Sequence, residues 1–271
     1  MPKLVALLIL LSSCLPLPSA SAAPPKPEPL QARDILPAGV LRTQSQRLAK
    51  LHHQIRLDIN TESARVRLAT GIAETDRALE ALSALPATPR IARSLVRCRT
   101  FWQEMRGELR GGDTARINDL ADALMIAAGK LAFDIENELG TPAGRLVDLS
   151  IRQNMLAQRL ARLYMQAQLG DRSQSLRVDM QQARIEFSMS LGELSGAPAN
   201  TRTIGESIEL ARMQWLFFEN ALAKLGDRAL ARDVATTSER IMQMMDAVAL
   251  QYMETGPAVP SLASASPYSR D

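Results

Sequence analysis

The sequence is poor in the residue types that carry most catalytic and metal chemistry. Its 271 residues include two histidines and two cysteines, and aromatic residues make up 4% of the chain. No glycine-rich phosphate loop, nucleophile elbow or CxxC motif occurs. His52 and His53 do not complete a Glu-x-x-His metal pattern, because Ala49 and Lys50 stand three residues before them. We therefore predict neither a cofactor nor an enzymatic activity.

The sequence also lacks an excess of charge of one sign. It has 32 basic and 29 acidic residues, which gives a net charge of +3, and the two signs are interspersed along the chain. A nucleic-acid interface would need basic residues massed on one face with stacking aromatic residues beside them. We predict no nucleic-acid partner.

A membrane helix needs a run of about eighteen apolar residues. No run of that length occurs beyond the N-terminus. Residues 1–22 have the pattern of an export signal, with Lys3 before a short apolar core and Ala20-Ser21-Ala22 as the cleavage site. The mature chain is predicted to begin near Ala23, to be periplasmic or secreted, and to contain no transmembrane helix.

A second interpretation of the N-terminus uses Leu11-Ser12-Ser13-Cys14, which resembles a bacterial lipoprotein box and would anchor the protein through Cys14. Removal of an ordinary export signal takes Cys14 with it and leaves Cys98 as the remaining cysteine. Cys98 is then predicted to be a small buried hydrophobic residue on the helix that carries Trp102.

What the sequence does contain is an internal repeat. Residues 46–51 align with residues 158–163, five of the six residues are identical, and the sixth position exchanges Lys50 for Arg162. The same register brings Trp102 close to Trp215, and these are the two tryptophans of the sequence. A register kept over this length indicates a duplicated unit.

Helical periodicity and helix-ending residues predict the fold. The apolar residues Leu41, Leu48, Ile55 and Ile59 form one stripe along the first helix. Gly and Pro clusters then divide the chain into eight helices at about 38–60, 61–85, 90–109, 114–139, 143–169, 171–194, 201–225 and 227–255. We predict an all-α fold of two tandem four-helix bundles, residues 38–139 and 143–255. A Pro-rich linker (residues 23–37) would precede them and a disordered tail (residues 256–271) would follow.

Residues 35 to 48 resemble the ligand box of the periplasmic nitrate/nitrite sensor domains of bacterial sensor kinases. The matching residues are Ile35, Ala38, Gly39, Leu41, Arg42, Gln44, Ser45, Arg47 and Leu48. The second half is similar to the related N-terminal domain of type IV pilus chemotaxis transducers, at Arg152, Gln153, Met155, Leu156, Gln158 and Arg159. The resemblance implies an exported, stand-alone sensory module that binds a small nitrate- or nitrite-like anion. It would relay the signal to a separate partner, such as a membrane sensor or transducer protein.

The resemblance also implies a set of ligand-binding residues. In the kinases, the arginine that matches Arg42 comes from both subunits of a homodimer and holds one anion between them. In this chain Asn154 of the second half aligns with Arg42, and Arg152 aligns with Val40 of the first half. If the two halves mimic the kinase dimer, the anion would contact Arg42 and Asn154. A homodimer of the whole chain is a second alternative. Ser45, Arg47 and Arg159 complete the candidate set.

Helix geometry gives an independent prediction for the same side chains. With the apolar stripe taken as the core direction, Arg42 points about 130° away from it, towards solvent or a neighbouring subunit. Arg47 and Arg159 flank the stripe, where the stem of each can cover core surface while its head finds a carboxylate. Arg152 lies near the stripe and needs either an acid or a bound anion.

Two other functions are weighed against the sensory module. The protein can be a partner-binding adaptor with a degenerate pocket and no ligand. The twelve methionines, among them Met242, Met244 and Met245, together with His52 and His53, would suit an exported copper carrier. Methionines at helical spacing more often fill a core.

Overall fold

The computed structural model of the chain describes residues 29–86 and 88–254. The predicted export signal, Cys14 and the predicted tail lie outside the described residues. The described residues form eight α-helices and two short 3-10 helices, without a strand, so the all-α prediction is confirmed. None of the described helices is long and apolar enough to cross a membrane.

The eight helices begin and end close to the predicted residues. They are α1 (Leu36–Arg56), α2 (Thr61–Ala84), α3 (Pro89–Glu108), α4 (Thr114–Leu139), α5 (Pro142–Gln168), α6 (Gln174–Ser195), α7 (Arg202–Leu222) and α8 (Ala231–Glu254). Helices α3 to α7 each follow a Ser, Thr or Asp whose side chain accepts a hydrogen bond from a backbone N–H three residues further on. This cap satisfies one of the free N–H groups of the first turn.

Both ends of α1 differ from the prediction. The helix ends at Arg56 instead of Asn60, because Asp58 and Asn60 adopt left-handed backbone conformations with φ of 55° and 50°. The predicted linker is wrong at its C-terminal end. Residues 32–35 form a 3-10 helix, and Ile35 is fully buried. Pro37 lies in the first turn of α1. A proline is tolerated there because a backbone N–H at that position would have no hydrogen-bond acceptor within the helix.

Each half has its own apolar core. The buried apolar residues form two clusters, one built from α1 to α4 and the other from α5 to α8 together with Leu57 and Ile59. In each half the first helix packs against the second and the fourth, and the third packs against the fourth. Trp102 and Trp215 are buried at corresponding places in the two clusters. The halves are therefore two four-helix bundles placed side by side.

Helices α1 and α5 join the halves along an extensive contact, called here the α1–α5 interface. Gly39 meets Ile151 and, further along both helices, Lys50 meets Gln158, so the two helices run parallel. A Cβ atom added at Gly39 would lie 2.4 Å from Cγ2 of Ile151. The close approach therefore requires glycine at this position.

Candidate ligand site at the interface of the two halves

Most polar residues of α1 are buried, although the helix has a single apolar stripe. The residues Arg42, Ser45, Gln46, Arg47 and Lys50 are each at most 7% exposed. Buried polar groups are costly unless they find hydrogen-bond partners. In this protein most of those partners come from the second half of the chain.

Lys50 reaches from the first half into the second. Its Nζ donates to Oε1 of Gln158 at 2.6 Å and to Oε1 of Glu239 at 2.6 Å. Gln158 in turn donates from Nε2 to the backbone carbonyl of Ser238, the residue before Glu239. Burial lowers the pKa of Lys50 to about 8, and the charge of Glu239 opposes that shift.

Arg162 makes the corresponding contacts in the opposite direction. Its Nε donates to Oε1 of Gln46 at 2.8 Å, and its NH2 donates to Oδ1 of Asp122 at 2.8 Å. Gln46 donates from Nε2 to the backbone carbonyl of Ala121, the residue before Asp122. Lys50 and Arg162 are equivalent positions of the repeat. The two halves thus exchange equivalent contacts, as the subunits of a two-fold dimer do.

Glu239 contacts more cations than its counterpart Asp122. Besides Lys50, it accepts hydrogen bonds from Arg47 at 3.0 and 2.7 Å and from NH1 of Arg67 at 2.7 Å. Burial alone would raise the pKa of the Glu239 carboxyl, but Lys50 and Arg47 outweigh it and hold the pKa well below its usual range. Glu239 is therefore ionised at neutral pH.

Arg42 is buried, so the prediction that it points outward is wrong. Only 5% of the residue is exposed, and its NH2 donates to Oδ1 of Asp148 at 2.9 Å and to the backbone carbonyl of the same residue at 3.2 Å. The prediction treated the side opposite Leu41 and Leu48 as facing solvent or a neighbouring subunit. In the fold that side is covered by α5, through Asp148, and by α4, where Gly129 lies beside the Arg42 stem.

The other predicted arginines of the repeat do find carboxylates. Arg47 binds Glu239, and Arg159 donates to Oδ1 of Asp179 at 3.1 Å, as predicted for residues that flank the apolar stripe. Ser45 is fully buried and its Oγ donates to the backbone carbonyl of Arg42. Ser45 therefore has a hydrogen-bond partner within its own helix and lines neither of the two clefts described below.

Two clefts open on opposite sides of the α1–α5 interface. The first, the Arg47 cleft, has a volume of about 550 Å³ and lies between α1, α2, α5 and α8. The second, the Arg42 cleft, has a volume of about 620 Å³ and lies between α5, α6, α1 and α4. The two halves exchange roles between the clefts, since Glu74 of α2 lines the first and the equivalent Glu186 of α6 lines the second.

The clefts separate the predicted ligand residues. Arg47 and Asn154 line the first cleft, whereas Arg42 and Arg152 line the second. The structure therefore does not bring Arg42 and Asn154 together around one anion. Each of them contacts an acid instead, because Asn154 donates from Nδ2 to Oδ1 of Asp246 at 2.5 Å.

The Arg47 cleft has an acidic side. Asp246 lines it together with Glu74, and burial raises the pKa of the Asp246 carboxyl to about 6, although the Asn154 hydrogen bond and the Arg47 charge oppose the shift. Oδ1 of Asn154 is buried without a hydrogen-bond partner among the described residues. The cleft thus holds two arginines, Arg47 and Arg77, beside the carboxylates of Glu74 and Asp246, so it has no excess of positive charge.

In the Arg42 cleft each of the three arginines is paired with a carboxylate. The pairs are Arg42 with Asp148, Arg145 with Glu193, and Arg152 with Glu186. The side chain of Arg152 is 44% exposed, so it lies further from the core than predicted, and its partner is the acid that the prediction required. Glu136 also lines this cleft, and burial, followed by the charge of Asp148, raises its pKa.

The histidines and Cys98 occupy structural positions. His53 is fully buried, its Nε2 lies 2.8 Å from Oδ1 of Asn118, and burial lowers its pKa to about 3. Burial also raises the pKa of the Cys98 thiol to about 12, which agrees with the predicted buried hydrophobic residue. Among the described residues, no three His, Cys, Asp or Glu side chains gather to hold a metal ion.

The sequence prediction did not include the acids that complete the site, namely Asp122, Asp148, Glu239 and Asp246. One signal was available: Gln46 and Lys50 are polar residues that recur in the repeat as Gln158 and Arg162. Polar residues that are repeated within an apolar helix point to buried, partnered positions. The identity of their acidic partners depends on the packing of α4 and α8.

Comparisons of the chain with protein-family models, with curated proteins and with solved structures gave no match. What the protein does is therefore inferred from the α1–α5 interface and its two clefts, together with the sequence resemblance at the box around Arg42.

Proposed function

We propose that the protein is a stand-alone sensory module in which a small oxyanion of the nitrate or nitrite type competes with Asp148 for Arg42. The observation that carries this proposal is the Arg42–Asp148 ion pair, which links α1 of the first half to α5 of the second. Arg42 is also the arginine that the resemblance to nitrate/nitrite sensors selects. Its Nε is buried and has no hydrogen-bond partner among the residues that the structure describes, so the guanidinium has a donor that Asp148 does not use.

The competition couples binding to the packing of the halves. A guanidinium offers parallel N–H donors to a planar oxyanion, as it does to a carboxylate. An anion that takes this position replaces Asp148 and removes one contact across the α1–α5 interface. A ligand shifts a conformational equilibrium by its difference in affinity for the two states. In this proposal the altered packing is passed by contact to a separate membrane sensor or transducer protein.

The charges of the Arg42 cleft set the conditions for binding. Its three arginines face four carboxylates, those of Glu136, Asp148, Glu186 and Glu193. An anion therefore meets net negative charge at neutral pH. Because burial raises the pKa of Glu136, a fall in pH favours the neutral form of this carboxyl and reduces the repulsion. We expect nitrate to bind more tightly as the pH falls.

Calorimetric titration with nitrate and nitrite tests the proposal on the whole chain. The wild type should bind, and Arg42→Ala should lose binding because the donors are removed. Asp148→Asn should bind more tightly than the wild type, because the competing charge is gone while the side chain keeps its shape. Arg159→Ala is the matched control: it removes another arginine of the repeat, which pairs with Asp179 and lines neither cleft, and it should bind as the wild type does.

The proposal fails if neither anion binds the wild type, or if Arg42→Ala and Asp148→Asn bind as the wild type does. The second candidate, a partner-binding adaptor with a degenerate pocket, then takes its place. It is favoured by the observation that Arg42, Arg47, Arg152 and Arg159 are each already paired with a carboxylate. A degenerate pocket gives no rise in melting temperature with any anion, whereas a binder gains RT ln(1 + [L]/Kd).

A further inference from the structure

Helix α7 carries an apolar stripe on its exposed face that its counterpart α3 lacks. Leu210, Met213 and Phe217 are 52%, 44% and 69% exposed. When the two helices are aligned through their buried tryptophans, the equivalent positions of α3 hold Arg97, Thr100 and Glu104. The same surface is polar in one half and apolar in the other. The fold itself therefore does not require these apolar side chains.

The exposed residues of α7 follow the spacing of a helix that packs against another helix. The α7 stripe consists of Glu206, Leu210, Met213, Phe217 and Asn220 of α7 and of Lys224 in the turn that follows the helix, and each of these residues is exposed. The residues recur at alternating intervals of four and three, which is the repeat of a coiled-coil contact line. Single exposed hydrophobic residues are common on surfaces, but a contiguous apolar patch with polar ends indicates an interface.

We infer that the α7 stripe is a homodimer interface, in which α7 of two copies of the chain pack antiparallel about a two-fold axis. The charges at the ends of the stripe select this arrangement. Antiparallel packing centred near Trp215 places Glu206 of each copy opposite Lys224 of the other copy, and Met213 opposite Phe217. Parallel packing would place like charges opposite each other at both ends, which is unfavourable.

The interface is separate from the proposed anion site. None of the α7 stripe residues lines the Arg42 cleft, and the α1–α5 interface lies within one chain. A single helix of 21 residues offers a contact line of about 30 Å, at the small end of specific interfaces. We therefore expect a dimer that dissociates on dilution.

Sedimentation velocity over a range of protein concentrations tests the inference. The wild type should pass from monomer to dimer as its concentration rises. Leu210→Arg with Phe217→Glu gives α7 the side chains of α3 and should weaken dimerisation by about tenfold or more, since these side chains are its central anchors. Val66→Glu places the same kind of charge at an exposed apolar position of α2 and should dimerise as the wild type does. At a concentration at which the wild type is monomeric, both variants should keep its melting temperature, because the replaced side chains are exposed.

Charge reversal tests the orientation. Lys224→Glu should weaken the dimer, because Glu206 then faces a like charge, and Glu206→Lys combined with Lys224→Glu should restore it. A wild type that stays monomeric at every concentration overturns the inference, as does a Leu210→Arg, Phe217→Glu variant that dimerises as the wild type does. A combined reversal that is weaker than Lys224→Glu alone overturns the antiparallel arrangement.

Discussion

The two halves of the chain make the same contacts at their interface but distribute charge differently. In one half Glu239 is 6% exposed and contacts Lys50, Arg47 and Arg67. In the other half its counterpart Asp122 contacts Arg162, and 35% of its side chain is exposed. The duplicated helices therefore preserve the hydrogen-bond geometry of the interface, while each half has its own balance of charge and burial.

A second difference between the halves falls at the proposed ligand position. Arg42 and Asn154 are equivalent in the repeat, and each contacts an aspartate. Arg42 reaches across to Asp148 of the other half, whereas Asn154 binds Asp246 within its own half. Only the Arg42 contact links the two bundles. A ligand that competes at Arg42 therefore acts on their packing, and one at Asn154 would not.

The largest expected difference in stability is between substitutions of Glu239 and of its counterpart Asp122. Glu239→Gln leaves three cations around a neutral side chain and should lower the free energy of unfolding by about 3–5 kcal/mol, as loss of one partner from a buried charge cluster does. Asp122→Asn should cost less, about 1–3 kcal/mol, because the Asp122 side chain is 35% exposed and the buried Arg162 keeps its hydrogen bonds to Gln46 and Asn118. Urea unfolding of both variants measures the difference, and equal losses would contradict the asymmetry.

The same pair predicts a pH dependence. The folded-state pKa of Glu239 lies below its unfolded value, so its contribution to stability is present above about pH 4.3 and is lost as the pH falls. The stability difference between the wild type and Glu239→Gln should therefore be full at pH 7 and shrink in acid. A difference that stays constant down to the pH of acid unfolding would show that Glu239 acts by packing and not by charge.

A smaller effect is expected where the two first helices approach most closely, at Gly39 and its equivalent Ile151. Gly39→Ala adds a methyl group 2.4 Å from Ile151 and should cost about 1–3 kcal/mol by overpacking. Combining it with Ile151→Ala should recover part of that loss. Gly129→Ala is the control in α4, where the nearest atom is 3.7 Å away, and it should leave stability unchanged or slightly raised. Thermal unfolding measures the stability of both variants. Equal losses of stability for Gly39→Ala and Gly129→Ala would contradict overpacking against Ile151 as the cause.

The smallest expected difference in stability is between substitutions of Arg47 and of its equivalent Arg159. Arg47→Ala removes contacts to Glu239 and Glu74 across a buried cluster and should lower stability by about 1–2 kcal/mol. Arg159→Ala removes a single pair with the 40% exposed Asp179 and should cost less than about 1 kcal/mol. Chemical denaturation of the two variants checks this order, and a greater loss at Arg159 would reverse it.

The sequence was sufficient to predict the helices and the repeat. Proline, glycine and the capping residues mark most helix ends, so α4 begins and ends at the predicted Thr114 and Leu139. The repeat register predicted that Trp102 and Trp215 occupy equivalent places, and both are buried in the core of their own half. These features depend on residues close together in the chain or on a shared register.

The site could be predicted only in part, because it is made by contacts between the halves. Helical periodicity identified the core face of α1, but it could not show that α4 and α5 cover the opposite face and bury Arg42. The partner Asp148 lies 106 positions further along the chain, in α5. Nothing in the spacing of α1 residues identifies an acid at that distance. The acidic partners of Arg47 and Arg159 were predicted as a residue type but not as particular residues.

The central claim, that an oxyanion at Arg42 changes the packing of the two halves, is tested most directly by a distance between them. Spin labels at Val66→Cys and Val178→Cys would occupy equivalent, exposed positions on α2 and α6, in a chain that also carries Cys14→Ser. Buried Cys98, with its raised thiol pKa, stays unlabelled.

Double electron–electron resonance then reports the separation of the labels with and without nitrate. We expect nitrate to shift the distance distribution in the otherwise wild-type chain and to leave it unchanged in Arg42→Ala. Asp148→Asn should lie closer to the shifted distribution before any anion is added, because the contact across the interface is already weakened. A distribution that nitrate leaves unchanged under conditions in which calorimetry detects nitrate binding would contradict the claim.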